Sequence, residues 1–226
     1  SAHSVIVVTI LPIFFDSVAE YTADSVSSMS TWGYATSIAM AIVALSAPFL
    51  GVFGDIRGMR KKLFAAFLAL GVLSVAGLAL TPGMDFTSST DAAGRVAGIV
   101  LVLYILSTIG FVASCIYYDA FLTDITTEDR MDSVSTMGYG LGYIGGSTIP
   151  LLIFLIMNAV GVPMLTCLSV IFAITAVWWL VFSLPLLKNC EQTSGKPYEK
   201  GDIGRNIKGV FTTIREIIAD KPMLVY

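Results

Sequence analysis

A chain of 226 residues with 56% hydrophobic side chains, 13% charged ones and a mean hydropathy of +0.83 reads as an integral membrane protein, which excludes a water-soluble domain. The formal net charge of −3 adds little, because orientation in a bilayer follows where lysine and arginine fall. The three cysteines give neither a metal spacing nor a disulfide framework, and no phosphate loop, HExxH, Ser-His-Asp set or nucleic-acid signature occurs, so the sequence argues against an enzyme, a bound cofactor or metal, and a nucleic-acid partner.

Polar breaks divide the chain into apolar spans near Ser1 to Phe15, Ser30 to Phe53, Leu63 to Leu80, Val96 to Tyr118, Val134 to Met157 and Met164 to Leu187. Most reach the roughly 20 residues a bilayer demands, and a helix satisfies every backbone polar group there, so six transmembrane helices are predicted. The first span is short and lacks a polar flank. It predicts a retained helix that the chain enters part-way, rather than a targeting segment. It carries His3, the one ionisable residue placed within the membrane, which suits substrate binding, proton relay or neutral packing with one hydrogen bond. Asp16 closes this helix as an interfacial or gate-side acceptor.

Between the second and third spans lies Gly51-Val-Phe-Gly-Asp55-Ile-Arg57-Gly58-Met-Arg60-Lys61-Lys62, a short, strongly basic turn. Asp55 can accept hydrogen bonds from Arg57 or Arg60, or face a helix N-terminus elsewhere in the protein. Gly51 and Gly58 permit close helix approach and a sharp turn. Two readings fit: the charges anchor the loop in water, or they also latch one of two conformations.

The fourth span presents Tyr104, Ser107, Thr108, Phe111, Ser114 and Tyr118 at helical spacing and ends on Asp119. Such a polar stripe avoids lipid, either by lining a cavity or by hydrogen-bonding to neighbouring helices at about 0.6–2 kcal/mol per bond. In the fifth span Gly138, Gly142 and Gly145 share a face, with Gly146 and Pro150 nearby, which predicts close helix packing. Tyr139 and Tyr143 then suit an inner gate matched by Tyr34 outside. After the sixth span, Ile203, Ile207, Val210, Phe211, Ile214, Ile217 and Ile218 form an apolar face beside Arg205, Lys208 and Arg215, as in an interfacial helix. Pro222 then opens a further apolar run, read as the start of a seventh helix. The resulting division is a bundle over 1–187, a linker over 188–221 and a helix start over 222–226.

Twelve of the 13 lysines and arginines fall on the side of the second, fourth and sixth span ends; only Arg95 lies opposite, among Asp16, Glu20, Asp24, Asp85 and Asp91. The positive-inside bias therefore places the basic turn and the linker in the cytoplasm. Phe14-Phe15-Asp16 is echoed by Tyr117-Tyr118-Asp119, and Ser30-Thr31-Trp32-Gly33-Tyr34 by Ser135-Thr136-Met137-Gly138-Tyr139. Opposite sidedness of the copies predicts a 3+3 inverted repeat.

The spacing of Gly51, Asp55, Gly58, Arg60 and Lys61 resembles the signature loop of the major facilitator superfamily. The strings Ser1-Ala2-His3-Ser4 with Ile10-Leu11-Pro12, Tyr118-Asp119-Ala120-Phe121-Leu122-Thr123-Asp124-Ile125, and Gly138-Tyr139-Gly140-Leu141-Gly142-Tyr143-Ile144-Gly145-Gly146 look like the group related to the fungal vacuolar amino-acid effluxer of autophagy. Ile56 stands where a basic residue is common, Arg95 lies too near the outer end of its helix to match the superfamily's buried arginine, and the fifth helix lacks the proline before paired glycines of its antiporter motif. The resemblance implies the N-terminal six-helix half of an alternating-access transporter, whose first and fourth helices line the central cavity with His3, Tyr104, Ser107, Thr108, Phe111 and Ser114. Its implied partners are the lipid bilayer, a small organic solute and the C-terminal half of the same polypeptide, with neutral amino-acid export the leading activity. Its implied location is the bacterial inner membrane, or the vacuolar membrane in a eukaryote. A proton- or ion-coupled importer and a nontransporting six-helix scaffold or receptor are the rival expectations.

Overall fold

The computed structural model describes residues 2–22, 28–195, 197 and 202–219, and all regular structure among them is helical. We label the helices α1 (His3–Ala19), α2 (Ser28–Gly54), α3 (Met59–Leu78), α4 (Thr90–Ala120), α5 (Glu128–Ala159), α6 (Met164–Asn189) and α7 (Asp202–Ala219). Among the described residues, five helices, α2 to α6, are long and apolar enough to cross a membrane; α1 is apolar but shorter. Ser1, Asp24, Lys196, Lys200 and the run from Lys221 through Pro222 to Tyr226 lie outside the described residues, as do the side chains of Ile203, Ile214, Ile217 and Ile218.

Helix boundaries differ from the apolar spans in one way that matters for the site. The turn between α2 and α3 is only Asp55 to Gly58, so Arg60, Lys61 and Lys62 belong to the first turn of α3 and are not loop residues. Apolarity underestimates a helix whose first turn reaches water. Gly58 makes the reversal, with φ 80° and ψ −2° at the N-cap of α3, a left-handed conformation that glycine adopts without a Cβ clash.

The bundle is centred on α4, which packs along α3 and α2, while α6 lies against α3 and α1 against both α4 and α6. The α3–α4 crossing is close because it is glycine on glycine. A Cβ on Gly110 would fall 2.5 Å from the Gly71 nitrogen, and one on Gly71 would fall 2.2 Å from the Trp179 ring of α6. The core nearby holds Leu11, Phe14, Val75, Leu78, Tyr104, Leu168, Ile171 and Phe172.

Both α1 and α5 contain a π-helical turn, Ile6–Ile10 and Ile144–Thr148, each followed two residues later by a proline, Pro12 and Pro150. Proline supplies no N–H and crowds the carbonyl four residues back, which lies inside the π turn in each case, so the widened turn relieves that conflict. In α5 the Thr148 hydroxyl donates to the Tyr143 carbonyl at 3.2 Å, completing the turn. Pro150 and Phe154 beyond it are buried, whereas no residue of Met131–Tyr143 before it is. Against α2, Phe49 meets Phe211 of α7 edge to face at 5.7 Å.

Candidate functional site

Charged side chains cluster at the end of the bundle that carries the α2–α3 turn. Placing Arg60 in the first turn of α3 sets a cation against the positive end of the helix, an unfavourable position unless acceptors surround it. They do. Arg60 is 5% exposed; its Nη1 donates to the Ala120 carbonyl at 2.9 Å, to Asp124 Oδ2 at 2.5 Å and to Ser194 Oγ at 3.3 Å. Its guanidinium carbon lies 5.8 Å from the centre of the Phe121 ring, within cation–π range. Asp55 is peripheral by comparison, 3.9 Å from Arg60 Nη2 with a side chain 79% exposed.

The Asp124 side chain, one helical turn beyond α4, has no exposed surface. Its Oδ1 accepts from the Thr193 and Ser194 amides at 3.1 and 2.9 Å and from their hydroxyls at 2.9 and 2.7 Å. Gln192 completes the arrangement. Its Oε1 accepts from the Gly58 and Arg60 amides at 2.8 and 3.3 Å, and its Nε2 donates to the Gly54 carbonyl at 3.0 Å, so one amide bridges the end of α2 and the start of α3. Nearby, Tyr117 donates to the Leu50 carbonyl at 3.0 Å, and a Cβ on Gly54 would reach 3.0 Å from its ring. At Gly51 a Cβ would meet nothing within 4 Å, so in this arrangement the close approach at this end of α2 is at Gly54. Arg57 is exposed and Lys61 partly so, and neither side chain forms an ion pair among the described residues.

The stripe on α4 sits elsewhere. Tyr104, Ser107, Thr108 and Ser114 are buried against neighbouring helices in this arrangement of the bundle. Tyr104 shares a 3.0 Å hydrogen bond with Thr36 and lies 4.2 Å from the Trp32 ring, both on α2. Ser107 donates to the Tyr104 carbonyl at 2.9 Å, which leaves its oxygen to accept from His3 Nε2 at 3.3 Å. The His3 ring stacks on Phe111 at 4.5 Å and tilts against Trp179 at 5.6 Å, joining α1, α4 and α6. Ser114 turns back to the Phe111 carbonyl at 2.8 Å. His3 Nδ1 and Thr108 Oγ1 are buried without a hydrogen-bond partner among the described residues.

Asp16 accepts from the Ser28 hydroxyl and so ties α1 to α2. Tyr34, Tyr139 and Tyr143 are 71%, 61% and 67% exposed, and Asp119 is also exposed. Tyr118 approaches α5: a Cβ on Gly138 would lie 3.8 Å from its hydroxyl. On Gly142 or Gly145 a Cβ would meet nothing within 4 Å, and Gly146 is partly exposed. Among the described residues the close glycine-on-glycine approach is that of Gly71 and Gly110. Sequence reasoning missed Asp124 as a partner of Arg60, and it missed Gln192, Thr193 and Ser194 altogether. For Asp124 the signal was present, an acid just past a helix end on the basic side; for the linker residues there was none.

Over residues 15–226 the chain matches the family described as "Vacuole effluxer Atg22 like". The chain belongs to this family. It is also 37% identical over 200 residues to the uncharacterized MFS-type transporter YxiO of Bacillus subtilis (strain 168), an alignment covering 85% of this chain and 44% of that protein. The chain thus spans less than half the length of that relative. No solved structure matches it. Membership of the Atg22-like family places the buried Arg60 cluster in a family of membrane transporters and not of enzymes.

Proposed function

We propose that this chain forms the first six-helix half of a secondary transporter of the major facilitator type, which moves a small organic solute across a membrane by alternating access. One observation carries the reading: a buried arginine, Arg60, bonded through Nη1, holds the α2–α3 turn against the end of α4 at the basic end of the bundle. Three separate stretches of chain meet at one charge there, which suits a latch that fixes one arrangement of helices and must part for another. The concentration of lysine and arginine at that end supports a cytoplasmic position.

Neutral amino-acid export is the leading activity, supported by the family description and by the lack of a fixed charge among the aromatic and hydroxyl groups of α4. With the α4 stripe packed between helices, the uncovered faces of α2 and α5 bearing Tyr34, Tyr139 and Tyr143 are the better path for solute, and Tyr118, Asp119 and Asp16 mark its ends. The test is flux of radiolabelled neutral amino acids in proteoliposomes holding the full-length protein, with Asp55→Asn and Arg60→Lys beside it. Lysine cannot reproduce the fork that Arg60 presents, so that variant loses at least about ten-fold in rate. Equal rates in all three proteins would end the latch reading, and no flux of any solute in the native protein would end the transport reading.

A further inference from the structure

The family signature accounts for the α2–α3 turn, yet most of the hydrogen bonds at the site come from somewhere else. They come from Gln192, Thr193 and Ser194, just past the end of α6 and on the way to the amphipathic helix α7. We propose that this linker segment is itself a moving part of the latch, positioning the Arg60–Asp124 pair and coupling its release to the path of the chain between α6 and α7. The inference rests on the transport reading for its consequence, but not for its geometry.

Two features separate this from incidental loop packing. The first is division of labour. Gln192 engages only the turn, through Gly54, Gly58 and Arg60, while Thr193 and Ser194 engage Asp124, and Ser194 Oγ also accepts from Arg60 Nη1. Consecutive linker residues thereby hold both partners of one ion pair. Pulling the segment away takes an acceptor from the first amides of α3 and, in the same movement, strips Asp124 Oδ1 of its four donors. A buried carboxylate oxygen left without donors then favours water and an opened site.

The second is fit. Gly195 follows with φ 122°, and a Cβ there would lie 2.8 Å from the Asp55 carbonyl and 3.3 Å from the Arg57 Cα. The linker backbone passes so close over the turn that only glycine is accommodated. Chemically, the segment is a neutral acceptor and donor set, so it can leave and return without moving a charge through a low-dielectric site.

Backbone hydrogen exchange on the full-length protein in lipid nanodiscs tests the proposal, read alongside flux. In Gln192→Ala, the Gly58 and Arg60 amides lose their acceptor and exchange at least ten-fold faster. The Thr193 and Ser194 amides, bonded to Asp124 and not to Gln192, also speed up if the segment moves as one piece. Amides in the middle of α3 keep their native rates, which shows that the fold is intact. A second variant, Thr193→Val with Ser194→Ala, removes only hydroxyls and should speed exchange at Gly58 and Arg60 in turn, and both variants should lower flux at least three-fold. Faster exchange confined to the mutated partner overturns the coupled movement, and coupled exchange with native flux overturns its part in the latch. Should the native protein move no solute, the transport reading fails while the exchange data still decide whether the segment moves as a unit.

Discussion

At the residue scale, the two acids near Arg60 are unequal, and burial decides which matters. Asp55 sits 3.9 Å away with a side chain 79% exposed, a geometry worth at most about 1 kcal/mol in stability. The Asp124 carboxylate is 2.5 Å away on a side chain with no exposed surface, and it has four further donors on its other oxygen. Replacing it by asparagine keeps the shape but removes the charge that balances Arg60, a loss of about 2–3 kcal/mol. Thermal unfolding of purified protein should show Asp124→Asn well below native and Asp55→Asn within about 0.5 kcal/mol of it. Equal shifts for the two would show that burial does not set the energetics here. Gly58 and Arg60 could be singled out from the sequence because glycine and arginine at a helix turn announce themselves locally. For Asp124 the sequence offered only its place, an acid just past a helix end on the basic side, and for Gln192 nothing, because the two meet Arg60 across 64 and 132 residues of chain.

At the scale of helices, apolar runs located the spans α2 to α6, because a bilayer leaves a backbone few alternatives. Their ends were less legible: α3 begins at Met59, inside a basic cluster that hydropathy assigns to the loop. Which glycines make contact was illegible too. Gly138, Gly142 and Gly145 have the spacing of a packing face, but Gly71 and Gly110, on different helices, make the crossing. Spacing on one helix says what can pack closely; only the partner helix says what does. Gly110→Ala would drive a methyl group to 2.5 Å from backbone that has no rotamer to change, so α3 and α4 must separate. The expected cost is about 1–3 kcal/mol, read as a lower unfolding temperature in detergent, whereas Gly142→Ala has room for its methyl and should be neutral or slightly stabilising in this bundle.

For the molecule as a whole, the uneven cover on its helices is the most informative property. The first half of α5 has no buried residue, and Tyr34, Met137, Tyr139, Leu141 and Tyr143 are all more than half exposed. Under the transport reading these faces meet solute and the remaining helices, so a thiol introduced by Tyr143→Cys in the full-length protein should react with a water-soluble maleimide at a rate that changes when solute is added. A rate indifferent to every transported solute would place that face against inert lipid. Alternation between two such arrangements requires that neither be too deep a minimum. Arg60 Nε is buried and bonded to nothing among the described residues. A donor left idle in a dry site carries a penalty of about 1–3 kcal/mol for as long as the latched arrangement lasts. Under the transport reading the latched form is therefore poised above the depth its other bonds would give it, which shortens the climb out.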